Sequence, residues 1–241
     1  MKTGRTIQEM AVEIMRQSKA KEDYLVNTGS LVMEVWDGQP MLHLRDADGS
    51  ELVDPLDIQS TAHQQIGDYL EIPRKYYRRM LGEDAELLAY NVNRWFQQKP
   101  EQRMIRTMDG RARAFLSNRY RRIDNLDIAT ITLPIIGEMK DIIYASCELT
   151  EDYMYIKAVN PRLTAEVVPG DVVQGGVIIT NSETGHGSVC VQPLIYRLVC
   201  SNGMVVNDAK ARRYHVGRIA STDDDFQIYS QETLDADDQA F

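Results

Sequence analysis

The chain has 241 residues, with 27 Lys and Arg against 36 Asp and Glu, 43% hydrophobic residues and a formal net charge of −9. That length suits one large domain or two small ones, and ordinary apolar and charged fractions exclude wholesale disorder and a collagen-like chain. No window approaches the roughly 18 continuous apolar residues of a membrane span.

Met1-Lys2-Thr3-Gly4-Arg5 leads into an amphipathic pattern, with no apolar secretory core. Ile7, Met10, Ala11, Ile14 and Met15 share one helical face, which predicts a helix packed on the body of the protein. Two short apolar runs, Leu31–Trp36 and Met41–Leu44, flank Asp37-Gly38, a strong hairpin signal. From Ser60 the pattern turns helical, with Ala62, Ile66, Tyr69 and Leu70 on one face. Pro73 suits the first position of a second helix, Arg74 to Met80, because no amide donor is needed there. The spacing from Ile66 to Tyr77 resembles a helix-turn-helix, with small Gly67 where two helices would cross. A plain helical hairpin fits the same spacing, since Glu71 occupies the turn and no third helix stands out nearby.

A second hairpin is predicted at Arg103–Met108 and Arg111–Ser117 around Asp109-Gly110. Strand alternation would put Arg111 and Arg113 on one face, followed at once by Arg119, Tyr120, Arg121 and Arg122. Asp124 to Met139 reads as a helix interrupted by Pro134. Strands follow at Ile142–Cys147, Tyr153–Val159, Val172–Thr180 and Val189–Val199. The expected fold is α+β: a mixed, mainly antiparallel sheet with flanking helices and an N-terminal helical segment. Residues 1–100 are read as an α/β lobe with a helical hairpin, 101–221 as a β-rich core and 222–241 as an acidic segment.

Charge is segregated along the chain. From Ile72 to Arg122 there are thirteen basic residues, eleven of them Arg, against five acidic ones; Thr222 to Phe241 holds seven acids and no cation. Arginine grips phosphate in a bidentate fork and stacks on bases, and cations beside an aromatic ring suit single-stranded nucleic acid. The candidate contacts are Arg74, Lys75, Arg78, Arg79, Arg111, Arg113, Arg119, Tyr120, Arg121 and Arg122. The competing reading is that these arginines pair with the chain's own carboxylates. A smaller basic cluster, Lys210, Arg212, Arg213 and Arg218, precedes the acidic tail.

Enzyme signatures are thin. There is no phosphate loop and no dinucleotide fingerprint, and His43, His63, His186 and His215 are widely spaced. Ser182 or Ser188 near His186 has the composition of a nucleophile and base, but sequence proximity is not the required geometry. Cys147, Cys190 and Cys200 form no metal-spaced pair and leave one thiol over from any disulfide scheme, which points to reduced thiols and a cytoplasmic protein. No metal, cofactor or catalytic residue is expected.

Four segments together resemble the phage- and plasmid-borne domain of unknown function 932: Gln65–Tyr76, Arg113–Asn125, Thr180–Gly185 and Tyr196–Gly203. The resemblance implies a mobile-element origin and brings no established reaction. Members of that family usually continue beyond a segment like Asp237–Phe241, which implies a truncated or short member. The combined reading is a phage or prophage protein that binds DNA, favours single strands, acts in annealing, recombination or replication, and works as a homo-oligomer away from membranes. Alternatives are a protein-interaction module, such as an inhibitor of a host defence complex, and an uncharacterised nuclease.

Overall fold

A computed structural model describes residues 5–46, 48–168, 171–197, 203–205, 211–213 and 215. Helix α1 (Ile7–Ala20) opens with a capping box, in which Thr6 Oγ1 accepts from the Glu9 amide and Glu9 accepts from the Thr6 amide. Its Met10 and Ile14 are buried as the spacing predicts, whereas Met15 and Val12 are exposed.

The first sheet has six strands in the order β1-β5-β6-β4-β3-β2. They are β1 (Lys21–Asn27), β2 (Leu31–Trp36), β3 (Gln39–Leu44), β4 (Leu56–Ile58), β5 (Gln102–Met108) and β6 (Arg111–Ser117). All pairings are antiparallel except β4 with β6. Both hairpins form as read. At Asp37-Gly38 and Asp109-Gly110 both central residues have positive φ, the mirror-image turn whose twist matches the strands and which these residue types tolerate best.

Three helices cover this sheet: α2 (Ser60–Tyr69), α3 (Arg74–Glu83) and α4 (Ala85–Gln98). Ala62, Ile66, Tyr77, Met80, Leu88, Val92 and Phe96 pack with Leu31, Leu42, Ile105 and Phe115 in one core. Gly67 lies where α2 meets α3, as the spacing indicates: a Cβ there would stand 2.9 Å from the Tyr77 ring. Helix α4 is an addition to the sequence reading. Asp84 caps it by accepting from the Leu87 amide, and Leu88, Val92 and Phe96 form its buried stripe.

Helix α5 (Asn125–Gly137) then leads into an antiparallel sheet ordered β11-β10-β9-β8-β7, with β12 also on β10. Its strands are β7 (Ile143–Leu149), β8 (Met154–Val168), β9 (Asp171–Asn181), β10 (Val189–Arg197), β11 (Gly203–Val205) and β12 (Ala211–Arg213). Rather than stopping at Pro134, α5 runs through it to Gly137, with the proline withholding one ladder donor, the one that would reach the Thr130 carbonyl. Met10 and Ile14 of α1 join Ala129 and Ile136 of α5 against Cys147, Ile156 and Ile179. Helix α1 therefore packs with the second sheet while β1, the next element, enters the first. The first sheet extends to Ser117, so a division at 100/101 would cut β5 and β6 from their partners. The acidic segment 222–241 and the basic residues Lys210 and Arg218 lie outside the described residues.

Among the described residues no helix is long and apolar enough to cross a membrane. Cys147 and Cys190 are free and buried.

Candidate functional site: a buried charge cluster and the cleft beside it

A carboxylate-rich cluster lies where β1, β5, β6, the start of α5 and the Asn181–Thr184 turn converge. Arg106 on β5 faces Asp23 directly across the ladder and donates to its Oδ1 at 2.8 Å through Nε. Its Nη2 reaches Asp124 Oδ1 at 2.6 Å, and its Nη1 donates to the Glu183 carbonyl at 3.0 Å. Arg113 on β6 donates to Glu183 Oε2 at 3.1 Å. Lys21 lies 2.7 Å from Glu183 Oε1 and 3.3 Å from Asp124 Oδ2. Three cations thus face three carboxylates, and the side chains of Arg106, Arg113 and Glu183 are only 1%, 3% and 1% exposed. Arg122 adds a partly exposed contact to Asp23 at 3.3 Å.

Neutral groups complete the cluster. The Asn125 amide donates to Glu183 Oε1 at 2.7 Å, and Asn181 Nδ2 donates to Asn125 Oδ1 and the Ile123 carbonyl. Tyr120 is buried, its hydroxyl donating to the Ser182 carbonyl at 3.1 Å and its ring stacked on His215. Burial alone would raise the Asp124 carboxyl, but the Arg106 and Lys21 charges pull it well below the ordinary range. Glu183 is also lowered, with burial and Asp124 opposing the pull of Lys21 and Arg106. Asp124 and Glu183 are ionised and paired with the cluster's cations, an arrangement that ties the two sheets together, although Arg113 Nε is buried with no hydrogen-bond partner among the described residues.

This cluster revises the sequence reading of the ribbon. Arg111 and Arg113 do not share a face: the register shifts between Arg106 and Thr107, so Arg113 is the extra residue of a β-bulge and alternation is lost. Arg111 is exposed, 3.8 Å from Asp57, while Arg113 is sealed beneath Glu183. Arg113 and Tyr120 are therefore unable to touch a phosphate chain. Arg122 is drawn to Asp23, and Arg121 is half-buried beside His215. Arg119 alone of this group is exposed with no ion pair among the described residues.

On α3 the outcome differs. Tyr77 and Met80 form its buried face, which leaves Arg74, Lys75, Arg78 and Arg79 exposed together with Tyr76. Arg74 meets Asp68 at 3.1 Å and Arg79 meets Glu83 at 2.8 Å, but with side chains 59% and 69% exposed these are weak surface pairs. Lys75 and Arg78 make no ion pair among the described residues.

Beside this face a cleft of about 270 Å³ opens between α2, α3 and the turn containing Thr184 and His186. Asp152 organises its far wall: Thr61 Oγ1 donates to Oδ1 at 2.7 Å, Thr184 Oγ1 at 3.1 Å, and His186 Nδ1 lies 3.6 Å away. His63 contributes from α2, its Nδ1 2.9 Å from the Tyr77 hydroxyl; burial lowers its pKa to about 4, so the ring is neutral near pH 7. Ser182 is no nucleophile for His186. It is fully buried, and its Oγ accepts from the His186 amide at 3.1 Å.

The Asn181–His186 turn thus serves both features. Asn181 and Glu183 enter the charge cluster, while His186 lines the cleft and buried Thr184 holds its Asp152. Sequence reasoning overlooked Lys21, Asp23, Arg106, Asp124 and Glu183 as a set. The available signal was a lone glutamate inside a polar Thr180–Gly185 motif that already stood out.

A two-sheet α+β protein joined through a buried, charge-balanced cluster is the class these observations define. Residues 113–231 match the family described as Domain of unknown function (DUF932), and this match supports assignment to that family. The match starts at the arginine seated on Glu183 and includes the Thr180–Gly185 turn. No curated protein and no solved structure matches the chain.

Proposed function

We propose that the protein binds single-stranded nucleic acid along the exposed face of α3, positioning strands for annealing or recombination without bond chemistry. The observation that carries this reading is the run Arg74, Lys75, Tyr76, Arg78 and Arg79 on one solvent-facing surface, with Lys75 and Arg78 free of ion pairs among the described residues. Cations neutralise the backbone, and Tyr76 offers a ring for base stacking. The β5–β6 ribbon contributes at most Arg111, with Arg119 just beyond it, because Arg113 and Tyr120 are structural. A mobile-element origin, oligomeric action and cytoplasmic placement belong to the same proposal, the last supported by the free thiols of Cys147 and Cys190.

A gel-shift comparison of single- and double-stranded DNA, with oligomeric state measured by light scattering in both cases, tests it. Preferential retardation of single strands by an oligomer is the expected result. No retardation of either form at low salt would reject the proposal.

A further inference from the structure

We propose that the cleft beside α3 receives one unstacked nucleobase of the bound strand. This inference rests on the nucleic-acid reading and specifies what the site would hold. The cleft's volume, about 270 Å³, lies at the small end of ligand sites, which run from about 300 to 1,000 Å³. That suits a single planar ring system. Ile72, Leu81 and the ring of Tyr77 line it with apolar surface, as a base face requires.

Polar groups stand where a base edge would need them. The side-chain amide of Gln64 lines the cleft and makes no hydrogen bond to any described residue, although the residue is only half-exposed. An amide offers both a donor and an acceptor, and so matches the mixed edges of bases. Arg74 and Arg78 also line the cleft while remaining exposed, which places cations at its mouth for the flanking phosphates. A bare phosphate site would leave the apolar wall unused and would set Asp152 against the anion. A base uses both sides.

The test is the affinity of the full chain for a single-stranded oligothymidylate and for an abasic strand of equal length and charge. Each is measured with the wild type, Leu81→Trp, which fills the cleft, and Tyr76→Ala, which removes the exposed ring. The wild type should bind the base-bearing strand at least about five-fold tighter, the lower bound for one stacked base. Leu81→Trp should remove the larger part of that preference while keeping the salt dependence, and Tyr76→Ala should remove only the smaller part that stacking on the exposed ring supplies. Equal binding of both strands overturns the base pocket and leaves backbone binding standing. A preference lost in Tyr76→Ala but kept in Leu81→Trp moves the base to the surface and also overturns it. Binding of neither strand rejects the nucleic-acid reading itself.

Discussion

Arg113 and Glu183 stand 70 residues apart in sequence and 3.1 Å apart in space, both almost fully withdrawn from water. One belongs to the first sheet and the other lies two residues beyond the end of β9 in the second. Their pairing fixes how the sheets meet and removes from the surface an arginine that the sequence offered as a ligand contact.

Because Glu183 answers Lys21 and the Asn125 amide as well as Arg113, its neutralisation strands buried Arg113 and leaves Lys21 only Asp124, at 3.3 Å. Glu183→Gln should cost about 3–5 kcal/mol, which for a chain of this size lowers Tm by roughly 6–20 °C. Calorimetric or denaturant unfolding checks it. A change within 1 °C would mean that the cluster does not hold the sheets together.

Stability should fall with acid in two stages. His63, at about 4 in the fold against 6.5 when unfolded, is held neutral by burial. The unfolded chain therefore takes up the proton first, and stability drops as pH falls from 6.5 towards 4, by about 3 kcal/mol for this group. Buried His215 acts in the same direction. Asp124 and Glu183 are lowered in the fold, so their contribution is complete above about pH 4.5 and is lost as pH falls below it. Urea midpoints measured against pH should show both stages, and His63→Gln should flatten the upper one alone. An unchanged slope in that variant would contradict the assignment.

Two glycines are fixed by close approach. At Gly185 φ is +83° and a Cβ would stand 2.6 Å from Leu116 Cδ2; at Gly67 it would meet the Tyr77 ring at 2.9 Å. Gly185→Ala combines backbone strain with overlap and should cost about 2–4 kcal/mol, while Gly67→Ala should cost about 1–3 kcal/mol. Gly82→Ala, inside α3 with open space around its Cβ position, is the control and should be neutral to stabilising, by up to about 1 kcal/mol. Unfolding free energies that fail to separate the three would argue against these contacts.

Local chemistry made much of the fold legible. The Asp-Gly turns, the apolar face of α1 and the small residue at the α2–α3 crossing are each determined within a dozen residues. Helix α4 was equally accessible through Asp84 and the Leu88, Val92, Phe96 stripe, but its exposed Tyr90 and Trp95 blur the amphipathic pattern. The charge cluster was not legible. Thirteen cations against five acids describes residues 72–122, whereas Asp23, Asp57, Asp68, Asp124 and Glu183, which pair with several of those cations, all lie outside that window. A one-residue bulge then separated Arg111 from Arg113, and no local pattern announces it. The surviving candidate, α3, is the element whose exposed face follows from helical spacing alone.

The most direct measurement is the salt dependence of single-stranded DNA binding for the wild type, Lys75→Ala/Arg78→Ala and Arg111→Ala. Each phosphate contact contributes about 0.7 to the log–log slope for single strands. The double variant should therefore lose up to about 1.4 from the wild-type slope and bind more weakly, with Arg111→Ala close to the wild type. A flat wild-type response, or a double variant indistinguishable from it, would contradict the account.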